Sequence, residues 1–138
     1  MIPEGFETLC EKARAVLNPR RLSDSAEAGG VGTALLADDG HIYTGVCIDT
    51  GSSMGFCAEH AAAGAMVTAG ANRVLRMVAV LWDGSVIPPC GRCREFMRQM
   101  DPANRRTEVL VAPGRVVPLD DLLPFDWRAP SEPADLDA

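Results

Sequence analysis

Residues 57–82, CAEHAAAGAMVTAGANRVLRMVAVLW, place an alanine-rich segment directly before an apolar run. Alanine has the highest helix propensity, so Cys57–Ala69 is predicted to form a helix, which Gly70 ends. The apolar run Val74–Trp82 is typical of a buried strand, and Asp83-Gly84 turns the chain away from it. Because the helix carries mainly small side chains, we expect it to pack closely on the sheet to which that strand belongs.

The segments on either side continue the alternation of helices and strands. Downstream, Cys90–Met100 is predicted to be a helix, and upstream, Asp-Gly at positions 39–40 indicates a hairpin between two strands. The further predicted helices are residues 5–17 and Leu119–Leu123, and the further predicted strands are Val31–Leu36, His41–Ile48, Glu108–Ala112 and Arg115–Val117. The order α-β-β-α-β-α-β-β-α, with loops at 21–30 and 49–55, predicts an α/β fold with helices on both faces of the sheet.

The composition indicates one folded domain that acts on a small molecule. The chain has 138 residues, of which 47% are apolar and 23% charged, and these are the proportions of a folded protein. Its formal net charge of -6 opposes binding to nucleic acid, which normally requires a basic face. We therefore expect one domain, residues 1–128, an acidic, proline-rich tail, residues 129–138, and a small-molecule partner rather than a nucleic acid.

The sequence contains no segment that predicts contact with a membrane. Its longest apolar runs are far shorter than the roughly 20 residues that cross a bilayer. The N-terminal residues lack the basic start and apolar core of a secretory signal. We therefore predict a cytoplasmic location, and in that reducing compartment the five cysteines do not indicate a disulfide framework.

Three cysteines and one glutamate form the pattern that indicates chemistry. Cys90 and Cys93 are three residues apart on a predicted helix, so both sulfurs leave nearly the same side of it. Two thiolates at this spacing are common metal ligands, and Cys57, at the start of the preceding helix, can supply a third. Three protein ligands with one open position are typical of a catalytic zinc ion, whereas a structural zinc ion has four. Glu59, two residues from a ligand, is the predicted general base.

Cys57-Ala58-Glu59 and Pro89-Cys90-Gly91-Arg92-Cys93 together match the zinc deaminase signature, in which the glutamate moves protons. On these motifs the chain resembles the cytidine deaminase family over about residues 5–127, in the small variant whose first ligand is cysteine. Thr44-Gly45 and Leu122-Leu123-Pro124 also stand where the family has similar residues. The resemblance implies a three-layer α/β/α fold with a five-stranded mixed sheet, one zinc ion per subunit, and a homotetramer, with a dimer as the alternative.

The resemblance implies a zinc-dependent hydrolase that replaces an exocyclic amine by oxygen on a cytosine or aminopyrimidine nucleoside. Residues 89–94, with arginine between the cysteines, resemble blasticidin-S deaminase, which favours a blasticidin S-like nucleoside. Cytidine deaminases bind the ribose with an asparagine and a glutamate where this chain has Cys47 and Asp49. This difference also favours a substrate other than plain cytidine. The alternative is an ordinary cytidine or deoxycytidine deaminase of pyrimidine salvage.

The resemblance assigns further residues to the substrate. It implies that the Ala58 N–H meets the pyrimidine carbonyl, that the Pro88 carbonyl accepts a hydrogen bond from the leaving amine, and that Trp127 reaches the pocket of a neighbouring subunit. Phe56 borders the loop before the first cysteine, and two interpretations are open for it, lining the pocket or only packing beside it.

Two residues are expected to offset the negative charge of three thiolates on one zinc ion. The family commonly has arginine where this chain has His60, and our hypothesis is that His60 donates a hydrogen bond to a cysteine sulfur, the alternative being an exposed histidine on the helix. Arg92 is expected to offset further negative charge. A structural zinc module is the alternative of another class, and it requires Cys47 or His60 as a fourth ligand. Cys10 fits the apolar face of the first helix.

Overall fold

The computed structural model of the protein describes residues 1–127 of the 138-residue chain. The helices are α1 Glu7–Ala15, α2 Ala58–Thr68, α3 Gly91–Met100 and α4 Leu119–Leu122. The strands are β1 Arg20–Ser23, β2 Ala26–Ala37, β3 Ile42–Thr50, β4 Val74–Leu81, β5 Val86–Ile87, β6 Glu108–Ala112 and β7 Arg115–Pro118. The predicted tail, residues 129–138, lies outside the described residues. Within residues 1–127, no helix is long and apolar enough to cross a membrane.

The strands of the described part form one mixed sheet. β2 lies between β3 and β4 and runs antiparallel to both, while β6 pairs parallel with β4 and antiparallel with β7. These five strands are the ones that the sequence predicted, and the α/β class is confirmed. The predicted count of five is wrong, because β1 pairs with the first residues of β2 and β5 pairs with β4, which makes seven strands among residues 1–127.

The two missed strands are short and have weak sequence patterns. All four residues of β1 are exposed, so no alternation of apolar and polar residues marks it. The stretch 26–30, which was predicted to be a loop, is the first part of β2 and pairs with both β1 and β3. β5 has two residues, fewer than any pattern of period two requires. In each case pairing with a neighbouring strand, and not local propensity, decides the conformation.

Helices cover both faces of the sheet because successive apolar side chains of the central strands point to opposite faces. Ala34 and Val78 pack with α1, whereas their neighbours Leu35 and Met77 pack with α2 on the other face. The α1 layer contains Phe6, Leu9, Cys10, Ala13, Val80 and Leu110, and the opposite layer contains Ala62, Ala63, Met66, Met97, Val109 and Leu119. Burial of each larger side chain away from water stabilises the fold by roughly 1.5–3 kcal/mol. The predicted three layers are confirmed.

The first turn of α2 lies directly on β3, and Gly45 makes this approach possible. A Cβ atom at position 45 would come within 2.5 Å of the Ala62 nitrogen and within 2.8 Å of the Ala58 carbonyl oxygen. Both distances are shorter than real Cβ contacts, so a side chain there would push the helix away from the sheet. Since Cys57 and Glu59 lie at the start of α2, the glycine also sets the depth at which these residues reach β3.

The chain enters α2 through a second close contact with β3. Ile48 and Phe56 exchange two backbone hydrogen bonds, with N···O distances of 3.0 and 2.9 Å. Gly55 fits beside this pair, because a Cβ atom there would lie 1.9 Å from the Ile48 carbonyl oxygen. The segment of residues 49–55, which comprises the last two residues of β3 and the loop after it, is therefore closed at its base, and Cys57 follows at a fixed position.

One buried asparagine holds the end of α3 against β4. The Asn104 side-chain oxygen accepts a hydrogen bond from the Val74 N–H at 2.8 Å, and its nitrogen donates to the carbonyls of Met97 at 2.9 Å and Asn72 at 3.0 Å. Asn104 is fully buried, so its side-chain amide has no access to water and is satisfied by these backbone groups. The helix that carries two of the cysteines is fixed to the sheet at its far end by this side chain.

We expect Gly45→Ala to destabilise the protein by about 1–3 kcal/mol, because the added methyl group overpacks the contact between β3 and α2. Gly64→Ala is the matched control on the same helix, since a Cβ atom there meets nothing within 4 Å. That substitution should instead stabilise the helix by roughly 0.5–1 kcal/mol. Urea unfolding at one fixed zinc concentration measures both, and equal stabilities for the two variants would contradict the proposed contact.

Candidate metal centre and active-site pocket

The three predicted cysteines come together at the starts of two helices. Cys57 is the residue before the first turn of α2, Cys90 holds the same position before α3, and Cys93 lies in the first turn of α3. Their sulfurs all lie within 4.8 Å of one another. The Cys57 and Cys90 sulfurs are 3.4 Å apart, and those of Cys90 and Cys93 are 3.3 Å apart. Residues separated by 33 positions in the chain thus form one cluster.

This cluster fits a zinc ion in chemistry and nearly in geometry. Thiolates bound at about 2.3 Å in a tetrahedral arrangement lie about 3.8 Å apart, so the sulfurs need to separate by only a few tenths of an ångström. Among residues 1–127, Cys57, Cys90 and Cys93 alone form such a group, and neither Cys47 nor His60 belongs to it. The fourth ligand that a structural zinc module requires is therefore missing from the described cluster, and a zinc ion held by these residues would keep one coordination position for water.

Burial controls the protonation of the sulfurs in the metal-free protein. Burial raises the pKa of the Cys93 thiol well above its usual range, and the negative charge of Glu59 adds to the effect. Burial and the hydrogen bond with Cys90 likewise raise the pKa of Cys57. For Cys90 burial acts in the same direction, but hydrogen bonds from the Cys93 backbone N–H and with the neighbouring sulfurs bring its pKa below the usual value. Binding of a metal here releases protons.

Glu59 lies in the wall of the pocket beside the cluster. Its residue surface is 3% exposed, so the carboxyl is almost completely removed from solvent. Burial raises the pKa of this carboxyl, while hydrogen bonds from its own backbone N–H and from Cys93 partly oppose the shift. A carboxyl in this position can exchange protons with a molecule in the pocket and not with bulk water.

The pocket has a volume of about 560 Å³, which is large enough for a nucleoside. Two of the cysteines, Cys57 and Cys90, line it together with Glu59. Of the other residues that the sequence assigned to the substrate or to charge compensation, those that line the same pocket are Cys47, Asp49, Phe56, Ala58, Pro88 and Arg92. The structure therefore brings together residues from β3, from the loop after it and from the starts of α2 and α3.

The wall formed by β3 contains a thiol and a carboxylate two residues apart. The Cys47 sulfur accepts a hydrogen bond from the Val31 N–H at 3.3 Å, which turns it toward the adjoining strand β2. Asp49 is exposed at the rim of the pocket and lies opposite Glu27 across the strand pair. A thiol is a weak hydrogen-bonding group, so this wall has one strong acceptor, Asp49, and no amide.

His60 lies behind the cluster and does not line the pocket. Its Nδ1 atom is 3.5 Å from the Cys93 sulfur, which agrees with the predicted hydrogen bond. The imidazole is stacked on the ring of Phe96, with centroids 4.1 Å apart and an angle of 27° between the planes. Burial and, secondarily, the positive charge of Arg92 lower the pKa of His60. Phe96 was not among the predicted site residues, although its position one helical turn after Cys93 places it on the same side of α3.

A second missed residue, Arg94, connects the loop before the metal site with the C-terminal segment. Its Nε atom donates to the Pro89 carbonyl at 2.8 Å, and Nη1 donates to the Leu122 carbonyl at 3.1 Å. Arg94 thereby fixes the backbone just before Cys90 relative to α4. No local sequence pattern distinguishes the role of Arg94.

Trp127 does not line the pocket of its own chain. Its residue surface is 68% exposed, and its backbone N–H donates to a Glu95 carboxylate oxygen at 2.6 Å. This bond attaches the C-terminal segment to the outer side of α3. The expectation that Trp127 reaches the pocket of a neighbouring subunit stays a prediction.

The fold and the site define a class of protein: an α/β protein whose helix starts place a three-cysteine cluster and a buried glutamate beside a pocket of nucleoside size. No family model matches the chain. It is 38% identical to a cytidine deaminase of Mycobacterium tuberculosis over 95 residues, which cover 68% of this chain and 69% of that protein. It is 31% identical to a cytidine deaminase of Halalkalibacterium halodurans over 102 residues, 72% of this chain and 77% of that protein.

Solved structures agree with these relatives. The crystal structure of cytidine deaminase from Mycobacterium tuberculosis superposes with a TM-score of 0.76 at 30% identity, covering 92% of this chain and all of that one. The cytidine deaminase from Mycobacterium leprae gives a TM-score of 0.74 at 26% identity, covering 89% of this chain and 100% of that one. The chain belongs to the cytidine deaminase family.

Serine substitutions test which cysteines hold the metal. We expect Cys57→Ser, Cys90→Ser and Cys93→Ser each to lose bound zinc on dialysis, because an alcohol does not replace a thiolate ligand. Cys47→Ser is the matched control, since Cys47 lines the pocket but lies outside the cluster, and it should keep one zinc ion per chain. Elemental analysis of the dialysed proteins measures this. Loss of zinc from Cys47→Ser would support a four-ligand structural site and contradict the open position.

Proposed function

We propose that the protein is a zinc-dependent hydrolytic deaminase that converts a cytosine nucleoside and water to the corresponding uracil nucleoside and ammonia. The observation that carries this proposal is a cluster of three cysteine sulfurs, two of whose residues line a pocket of nucleoside size together with a buried carboxyl. The relatives that this chain matches over two thirds or more of their length are called cytidine deaminases, which favours cytidine or deoxycytidine as the substrate.

In this proposal Cys57, Cys90 and Cys93 hold one zinc ion per subunit. A zinc ion in such a site acts as a Lewis acid and lowers the pKa of a bound water molecule. The N-termini of α2 and α3 point at the sulfurs, and each acts as roughly half a positive charge, which offsets part of the thiolate charge. His60 and Arg92 offset more, His60 through its contact with the Cys93 sulfur and Arg92 through its position at the pocket.

Glu59 moves the protons of the reaction. Its carboxylate takes one proton from the attacking water and delivers it to the ring nitrogen, then takes the remaining proton of that oxygen and delivers it to the amine, which leaves as ammonia. The proposal rests on the position of Glu59, since its side chain lines the pocket two residues from Cys57 and is shielded from bulk solvent. The water oxygen bonds to the amine-bearing carbon, and the bond between that carbon and nitrogen breaks, so atoms and charge balance.

The backbone and the remaining wall orient the base. The Ala58 N–H lies in the first turn of α2, where helix N–H groups lack an intrahelical partner, and it is available for the pyrimidine carbonyl. The Pro88 carbonyl accepts a hydrogen bond from the leaving amine. Phe56 supplies an apolar surface for the nucleoside, and Cys47 and Asp49 face its sugar.

We expect Glu59→Gln to lower kcat by at least about a hundredfold, because glutamine cannot exchange the protons. Zinc content and thermal stability should stay unchanged, since Glu59 is not one of the ligands. Glu108→Gln is a control on β6, where the carboxylate pairs with Arg76 at the surface, and it should deaminate at the unchanged rate. Release of ammonia from cytidine measures all three proteins. Turnover by Glu59→Gln within a few-fold of the parent protein would eliminate the assigned role.

The choice of nucleoside depends on the β3 wall. The absence of an amide at position 47 and the arginine between Cys90 and Cys93 favour a second candidate substrate, a blasticidin S-like cytosine nucleoside, over plain cytidine. Rates of the unmodified protein on cytidine, deoxycytidine and blasticidin S rank these candidates directly. A rate on blasticidin S that exceeds the rate on cytidine would assign the protein to the second candidate.

We expect Cys47→Asn to lower KM for cytidine about fivefold, which corresponds to one additional hydrogen bond of about 1 kcal/mol to the ribose. The asparagine oxygen can still accept from the Val31 N–H, which now donates to the Cys47 sulfur. Free cytosine is the matched control substrate, because it has no sugar, and its kcat/KM should not improve. An equal gain for cytosine and cytidine would show that position 47 does not contact the sugar.

We also propose that the protein forms a homotetramer, with a dimer as the alternative. The exposed apolar residues Val67, Phe125 and Trp127 support an assembly that covers them, and Trp127 reaches the pocket of an adjacent subunit in this proposal.

Residues 1–128 act as one domain. The five cysteines are free, which supports a reducing compartment such as the cytoplasm.

A further inference from the structure

Phe96 contacts the metal site through another side chain. It lies on α3, three residues after Cys93, and its ring is stacked on the His60 imidazole at a centroid distance of 4.1 Å. The other side of this contact is formed by α2, on which His60 lies three residues after Cys57. The imidazole thus bridges the two helices, with its Nδ1 atom 3.5 Å from the Cys93 sulfur and its ring plane against Phe96.

We propose that Phe96 is a positioning residue that holds His60 in the orientation in which Nδ1–H donates to the Cys93 sulfur. This inference rests on the proposed zinc site. A thiolate bound to a metal has no proton and only accepts hydrogen bonds, so a hydrogen bond between these two groups requires the proton on Nδ1. Phe96 does not touch the metal, the water or the substrate, and acts through the imidazole alone.

The imidazole needs such a support because its own torsion does not fix it. Rotation about the bond to the ring has a broad, roughly two-fold profile, so the ring plane is set by its neighbours. His60 is half-buried, and within residues 1–127 its one side-chain hydrogen bond is the contact with Cys93. The Phe96 ring, stacked at 27°, holds the plane of the imidazole, and in this plane Nδ1 reaches the Cys93 sulfur at 3.5 Å.

The orientation of the donor has a consequence for the metal. Three thiolates on a dipositive ion leave a net charge of −1, and a hydrogen bond to one sulfur draws part of that charge away. Loss of a partner that hydrogen-bonds a metal ligand typically costs about 10–100-fold in metal affinity or activity. The stacking contact supplies part of this effect, and an aromatic pair contributes enough to change an equilibrium about two- to tenfold.

The experiment compares Phe96→Leu, which keeps an apolar side chain but removes the ring, with Phe96→Tyr, which keeps the ring. We expect Phe96→Leu to weaken zinc binding about two- to tenfold in competition with a chromophoric chelator, and Phe96→Tyr to restore it. The thiolate-to-cobalt charge-transfer absorption of the cobalt-substituted protein should shift in Phe96→Leu and not in Phe96→Tyr. Trp82→Leu is the control, because it removes another exposed aromatic ring.

A double-mutant cycle with His60→Ala separates positioning from general packing. If Phe96 acts through His60, Phe96→Leu has no further effect on zinc affinity or on the cobalt spectrum in the His60→Ala background. An equal effect of Phe96→Leu in both backgrounds, or no difference from Trp82→Leu, overturns the inference. The unmodified protein reports separately on the proposed function: without bound zinc or ammonia release that function fails, whereas with both intact the cycle tests Phe96 alone.

Discussion

The structure depends on two helices that begin at the same point. The starts of α2 and α3 meet so closely that the sulfurs of Cys57 and Cys90 are 3.4 Å apart. Such an approach requires a sheet that both helices can contact without a gap. Gly45 allows this contact for α2, because any side chain at this position would collide with the first turns of the helix. Two side chains hold α3 in place. Asn104 fixes the far end of α3 to β4, and Arg94 fixes the loop that precedes the helix.

This arrangement concentrates negative charge, and the surrounding structure is built to balance it. Three thiolates and the Glu59 carboxylate together exceed the charge of one zinc ion by two. The helix N–H groups at the starts of α2 and α3 act on the sulfurs, and His60 contacts the Cys93 sulfur. Burial raises the pKa values of Cys57, Cys93 and Glu59, so metal binding and the ionisation of these groups are linked. A metal ion held by these groups would therefore stabilise the fold.

The sequence predicted those parts of the fold that local chemistry determines. Cys57–Ala69 was predicted as a helix and α2 spans Ala58–Thr68, because alanine content and a terminal glycine are local signals. The strand β1 was missed, since four exposed residues are extended only through pairing with β2. The cysteines and Glu59 could be grouped because their spacing has one chemical meaning. Phe96 and Arg94 could not, because their partners, His60 on α2 and Leu122 in α4, are set by packing between distant segments.

The site is divided between two kinds of structure, and this division bears on its specificity. The groups assigned to bond breaking lie at helix starts, where close contacts and hydrogen bonds with neighbouring segments fix the backbone. The groups assigned to the sugar, Cys47 and Asp49, lie on β3, where alternate side chains face the pocket and can change without moving the helices. In the proposed function, a change at position 47 would therefore alter which nucleoside binds while the cluster of Cys57, Cys90 and Cys93 keeps its geometry. Such a division would let the same chemistry serve different nucleosides, because the strand, and not the metal centre, would contact the part of the substrate that differs.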